Sequence, residues 1–270
     1  MDPHSESNSR LKVFLENPSK ALWTLAIPIM FGMGIQTLYN LVDMIFIGKL
    51  GGQAITGIAF NMPLFFLVLG LTMGLGTGVT ASIARFIGQE NKKQADNSAE
   101  HAVFMAAIIS VFLSLIGLMF GKTILAFFGA EGEILNLGWE YLRVMCIGMP
   151  FMIFSGFFRS ILAGEGDMKF PMMIAGLGTV LNIILDPIFI FDLEAYGGFG
   201  FGLGIAGAAM ATVISQVIVF FVFIYMLFFK DHSYITFRLR DFSFSTDIIW
   251  DIVKIGLPAS LSMVVMAVGQ

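Results

Sequence analysis

Long runs of apolar residues, broken only by short polar segments, dominate the chain. Six stretches are long enough to span a bilayer as helices, which takes about 20 mostly apolar residues. They are Leu22–Ile47, Ile55–Ile83, Ala102–Phe120, Tyr141–Ala163, Phe170–Phe191 and Leu203–Phe229. The runs are continuous rather than alternating, so they predict helices and not a barrel. Thr123–Phe128, followed by Gly129, reads as a short interfacial segment leading into the acidic loop at Glu131 and Glu133. A seventh run begins near Ile248 and continues to Gln270.

Lysine and arginine bias orients the spans. Arg10, Lys12 and Lys20 lie before span one, Arg85, Lys92 and Lys93 after span two, and Arg159 and Lys169 flank the turn after span four. Lys230, Arg238 and Arg240 follow span six, whereas the opposite loops hold only Lys49, Lys122 and Arg143. Both ends of the six-span unit are therefore expected in the cytoplasm, with the protein in the cell inner (plasma) membrane. The first 20 residues are too polar and mixed in charge, and span one too long, for a cleaved signal peptide.

Composition agrees with this pattern. Of 270 residues, 57% are hydrophobic and 13% charged, with a mean hydropathy of +0.86. That charge share is about half of an ordinary soluble domain's, too little to clothe a soluble fold and far too apolar for disorder. A net charge of −4 gives no footprint for a nucleic-acid partner. Cys146 is the sole cysteine, which excludes an intrachain disulfide.

Ionisable groups inside spans are costly and point to function. Asp43 falls near the far end of span one and Asp186 in the far half of span five, at similar depth. Tyr39 precedes Asp43 by one helical turn and Asn182 precedes Asp186 by one turn, so each pair shares a face. Gln36 and Thr37 continue the face of span one. Two carboxylates, an amide and a phenol converging in one pocket suit a hard monovalent cation or a proton, and the two acids would titrate as a unit. The alternative is that each aspartate merely caps a helix end or meets headgroup water. Pro28 and Pro187 each remove a ladder hydrogen bond and bend or break their helix. Pro187 also loosens the Ile183 carbonyl beside Asp186, and Gly32 and Gly34 add flexibility near Pro28.

Gly70, Gly74, Gly76 and Gly78, and Gly202, Gly204 and Gly207 with Ala208 and Ala209, supply small faces for close helix packing. The 29 phenylalanines and 18 methionines are expected to face lipid or core. Gly164-Glu165-Gly166-Asp167 matches the short GxGD pattern of intramembrane aspartyl proteases, but it falls in a charged turn and no second catalytic aspartate is in evidence. No P-loop, HExxH, GxSxG or cysteine–histidine metal spacing occurs. Active transport without a nucleotide motif needs an ion gradient or a separate partner.

Several of these segments together resemble the multidrug and toxic compound extrusion (MATE) family of secondary transporters. They are Leu41-Val42-Asp43-Met44-Ile45-Phe46-Ile47-Gly48, Ala163 to Met172 between spans four and five, Asn182 to Pro187, and Gly204 to Ala209 before Ala211-Thr212. The motifs run in order across nearly all of 22–260. The resemblance implies an all-α polytopic membrane protein of two six-helix lobes around a central cavity, working by alternating access. It implies an antiporter, not an enzyme, that exports organic cations or amphipathic drugs in exchange for H+ or Na+, with no other cofactor. The DNA-damage-inducible (DinF-type) branch is most similar. On that pattern Asp43, Asp186, Asn182 and Tyr39 form the cation-coupling set, with Na+ held at Asp43, Asn182 and Asp186, and Pro28 and Pro187 bend their helices. Gln36, Asn40 and Met33 are the substrate-cavity candidates. Thr212 matches a hydroxyl ligand of the sixth helix, although the loop before it is longer here.

The expected organisation is a cytoplasmic tail (1–21), a six-helix lobe (22–229), an inter-lobe linker (230–246) and the start of a second lobe (247–270), the chain ending within helix seven. Gly256-Leu257-Pro258 echoes Ala26-Ile27-Pro28, as the start of a duplicated second half would. The missing C-terminal lobe then becomes a partner, along with the bilayer. A complete six- or seven-span protein is the alternative. Other functions kept open are a flippase for lipid-linked oligosaccharides or precursors, the aspartyl protease, and a non-transporting scaffold.

Overall fold

The computed structural model describes residues 23, 27, 30, 34, 37, 41–192, 200–230, 233–237 and 242–268, with 266–268 described as backbone only. Pro28, Met33, Gln36, Tyr39 and Asn40 lie outside the described residues, as does most of span one. Among the described residues the fold is helical throughout, without strands. The elements are α1 (41–48), α2 (Gly52–Ala59), α3 (Met62–Gly88), α4 (Lys92–Phe127), α5 (Gly132–Gly164), α6 (Lys169–Ile190), α7 (Gly204–Phe229) and α8 (Thr246–Val268). Helices α3 through α8 are each long and apolar enough to cross a membrane. The turns 88–92 and 164–169 and the segments 233–237 and 242–245 gather at one end, called here the linker face; the other end is the distal face.

Several boundaries differ from the sequence expectation. The run expected as one span, Ile55–Ile83, is broken into α2 and α3. Pro63, in the first turn of α3, has no N–H to continue the ladder from α2. Asn61 fills the break: its buried amide donates to the carbonyls of Gly57 (2.8 Å) and Gly138 (3.1 Å). Thr123–Phe127 is not a separate interfacial segment but the last turns of α4, which ends at Phe127, just before the turn at Gly129, where φ is +100°. At 36 residues α4 is about 54 Å long, so it outruns a hydrocarbon core of about 30 Å. Asn91 caps α4 by accepting from the Gln94 N–H at 3.2 Å.

Helix α5 is central, packing on α2, α3, α4 and α7, while α6 lies against α7 and α8 against α3. Gly70, Gly74, Gly76, Gly78 and Gly207 allow close packing as the sequence predicted, whereas Gly202 and Gly204 instead hold positive φ, 61° and 57°, and nothing lies within 4 Å of a Cβ at Gly204. A Cβ at Gly74 would strike the Ser260 backbone and one at Gly78 the Ile252 carbonyl; from the other side, one at Gly256 would meet Leu75 Cα at 2.7 Å. Helices α3 and α8 thus meet backbone to backbone. Gly76 makes the same accommodation for Ser160 of α5. The outward faces carry exposed apolar side chains such as Phe112, Leu115 and Met119 on α4, which suit lipid contact.

At the linker face, 233–237 and 242–245 are bound to the bundle. The Glu165 carboxylate accepts from the Tyr234 N–H (3.0 Å), the Ile235 N–H (3.2 Å) and the Ser233 hydroxyl. Asp96 accepts from the Thr236 N–H (3.0 Å), and Lys92 donates to the Tyr234 carbonyl (2.6 Å). Asn97 pairs reciprocally with the Ser243 backbone, and His101 Nε2 accepts the Ser245 N–H at 2.9 Å. That last bond puts the ring proton on Nδ1, which faces the Asn97 carbonyl at 2.7 Å.

Candidate functional site

The sequence places Asn182 and Asp186 one turn apart on α6, and the fold turns that face toward α7. Both are almost wholly enclosed, with 2% and 0% exposure, and Thr212 of α7 is 8% exposed. The Asn182 amide donates to Asp186 Oδ1 at 3.3 Å and to Thr212 Oγ1 at 3.2 Å. The Thr212 hydroxyl donates in turn to the Ala208 carbonyl at 3.1 Å. Gly207 allows this close approach, since a Cβ there would strike the Phe189 carbonyl.

Asp43 reaches the same place from α1. Its helix is held by Ile47, which packs in a cluster with Tyr141, Ile190, Ile205 and Ala208. Phe46 meets Phe191 edge to face at 6.2 Å, and the Lys49 ammonium lies over both rings. Asp43 and Asp186 are close enough for their charges to act on one another. Asp43 Oδ1, Asn182 Oδ1 and Asp186 Oδ2 are buried and have no hydrogen-bond partner among the described residues. Three unsatisfied oxygens in one enclosed place are costly unless something else satisfies them.

The structure therefore brings together Asp43, Asn182, Asp186 and Thr212 of the expected site. Pro187 is in α6, three residues before its end, and the helix runs through it unbroken; the Phe191 N–H bonds back to the Pro187 carbonyl at 3.3 Å. The GxGD-like turn is structural in both its acids. Glu165 holds the linker, and Asp167 Oδ1 accepts from the N–H groups of Lys169 and Phe170, each at 3.1 Å, at the start of α6. Among the described residues no cluster of three or more histidine, cysteine, aspartate or glutamate side chains forms a metal site.

A cavity opens beside the site, between α5, α6 and α7. It is lined by Arg159, Thr179, Asn182, Thr212 and Gln216, with Phe223 among its apolar walls. Sequence reasoning missed Arg159, Thr179 and Gln216. The polar spacing Thr179, Asn182 and Asp186 along one helix face was the available signal for Thr179.

Six helices long and apolar enough to cross a membrane, enclosing a buried carboxylate–amide–hydroxyl cluster, define a polytopic membrane protein. The chain belongs to the MatE family, whose profile matches residues 28–188. It is 30% identical over 263 residues to the multidrug export protein MepA of Staphylococcus aureus (strain MRSA252), covering 96% of this chain and 56% of that protein. A crystal structure of MATE in the bent conformation aligns at 39% identity, covering 96% of this chain and 56% of its own, with a TM-score of 0.86. One in the straight conformation aligns at 40% identity, 93% and 54%, with a TM-score of 0.85. The chain thus spans about half the length of the relatives it matches, as one lobe of a two-lobe protein would.

Proposed function

We propose that this chain forms the first six-helix lobe of a secondary antiporter, with 230–246 as linker and 247–270 opening the second lobe. The antiporter exports organic cations or amphipathic drugs from the cell across the plasma membrane, with the N-terminus cytoplasmic, and draws on inward H+ or Na+. The observation that carries the reading is the set of three orphaned oxygens on Asp43, Asn182 and Asp186. Oxygen donors alone, two of them carboxylates, fit a hard cation, and the same oxygens fit a shared proton.

Coupling follows from the arrangement. With the site empty, two like charges face each other in a low-dielectric interior. A proton or Na+ relieves that repulsion and draws α1 toward α6, so ion binding favours one position of span one over another. Pro28 supplies the point at which span one bends. MATE structures with bent and straight conformations support such a movement in relatives, and MepA, a multidrug exporter, supports the class of cargo.

The test is flux in proteoliposomes of the full-length gene product, with Na+ and pH gradients imposed separately. Asp43→Asn and Asp186→Asn are each expected to abolish gradient-driven efflux while membrane insertion is unchanged. Full efflux in both variants overturns the reading.

A further inference from the structure

The cavity beside the coupling site contains a charge that the coupling scheme does not use. Among the described residues Arg159 is the sole ionisable side chain lining it. Its side chain lines that space, and among the described residues it has no carboxylate partner. Asp186, a turn beyond Asn182, is engaged by the Asn182 amide instead. A guanidinium inside a membrane bundle is costly to leave without water or a counter-ion. Loss of an unpartnered arginine to glutamine would relieve that cost, so its presence calls for an anion supplied from outside the lobe.

The surroundings define what kind. A guanidinium grips a carboxylate through two parallel N–H···O bonds. Thr179 and Gln216 line the same space and can donate further hydrogen bonds. Phe223 offers an apolar wall for the rest of a molecule. Asn182 and Thr212 bound the cavity on the side of the acids, so an anion at Arg159 sits apart from the Asp43–Asp186 charges.

We propose that Arg159 makes this cavity a subsite for amphipathic cargo bearing a singly charged anionic group, a carboxylate above all. This rests on the export reading and narrows it from organic cations to amphiphiles that carry a negative charge at one end. The coupling ion and the cargo's anion then occupy opposite ends of one polar channel and do not compete.

A matched pair of probes tests it: dansyl-phenylalanine, a carboxylate, and its uncharged methyl ester, titrated by fluorescence into the purified full-length gene product. The wild type is expected to bind the acid at least about tenfold more tightly than the ester, the worth of one charge-assisted contact. Arg159→Gln should bring the acid to the ester's affinity and leave the ester unchanged, and Arg159→Lys should restore part of the difference. Displacement of the acid by phosphatidylglycerol in the wild type assigns a lipid headgroup as the anion's source; failure to displace assigns the soluble amphiphile. Equal binding of acid and ester by the wild type overturns the assignment, as does an equal loss of both in Arg159→Gln. The wild-type comparison stands even where Arg159→Gln does not fold. If neither probe binds, the cargo cavity itself is overturned. Acid selectivity that persists in a protein whose efflux ignores Asp43→Asn and Asp186→Asn overturns the coupling reading alone.

Discussion

The Asn182 amide lies 3.2 Å from the Thr212 hydroxyl and 3.3 Å from Asp186, so one side chain ties α6 to α7 and orients an acid at the same time. Thr212→Val keeps the shape but removes the acceptor. The Asn182 amide then has one buried partner fewer, at a cost of about 1–3 kcal/mol. Thr212→Ser keeps the hydroxyl and should cost less than about 1 kcal/mol. Thermal unfolding in detergent measures both, and equal stability of the two variants would remove the hydroxyl from the account.

The backbone contact between α3 and α8 predicts a position-specific response to a single methyl group. Gly78→Ala drives a Cβ into the Ile252 carbonyl, which cannot move without moving α8. Overpacking of this kind costs about 1–3 kcal/mol. Gly88→Ala, with nothing within 4 Å of the added carbon, should be neutral or slightly stabilising. A melting-temperature difference of several degrees between these two variants is expected, with Gly78→Ala the lower. Coincident melting would mean that α8 does not sit on α3 as described.

The aspartate of the GxGD-like turn provides a test between cap and catalyst. Asp167 Oδ1 accepts two N–H groups at the start of α6. Asp167→Ala should therefore cost about 1 kcal/mol of stability, the worth of a helix cap, and Asp167→Asn less. Ion coupling should survive both, read as gradient-driven flux at matched protein density. Loss of flux with unchanged stability would give Asp167 a role that its contacts do not.

Much of this fold could be read from its apolar runs because lipid imposes a simple rule: each crossing element must satisfy its own backbone. Hence α3 to α7 fall where hydropathy put spans two to six. The errors lie where that rule is silent. Thr123 to Phe127 are as helical as the residues before them although they pass beyond the expected span, since nothing stops the ladder before Gly129. The split at Asn61 depends on a carbonyl, that of Gly138, 77 residues away. Within the site, Asn182 and Asp186 were visible by helical spacing alone, and Asp43 by its cost in a membrane. Arg159 was hidden because its position near a span end also fits a positively charged loop flank; only the packing of α5 and α6 on α7 encloses a cavity that it lines.

Glu165 makes the linker's docking depend on pH, with a sign that can be worked out. Burial, the largest influence, raises its pKa, and the nearby Asp167 charge adds to that rise; the Ser233 hydroxyl and the Tyr234 and Ile235 N–H groups pull the other way without cancelling it. The docked state thus holds the proton more tightly than a state with the linker released and Glu165 solvated. Docking is then strongest at low pH and weakens as pH rises from the ordinary glutamate value, about 4.3, through the raised one, beyond which it changes no further. Hydrogen exchange at Tyr234, Ile235 and Thr236, corrected for the intrinsic pH dependence of exchange, should show protection falling across that interval. Glu165→Gln, which fixes the uncharged form, should flatten the dependence, and Glu165→Ala should lower protection at every pH because three donors lose their acceptor. Protection that instead rises with pH in the wild type would show that the three donors outweigh burial and that the carboxylate is the form the linker prefers.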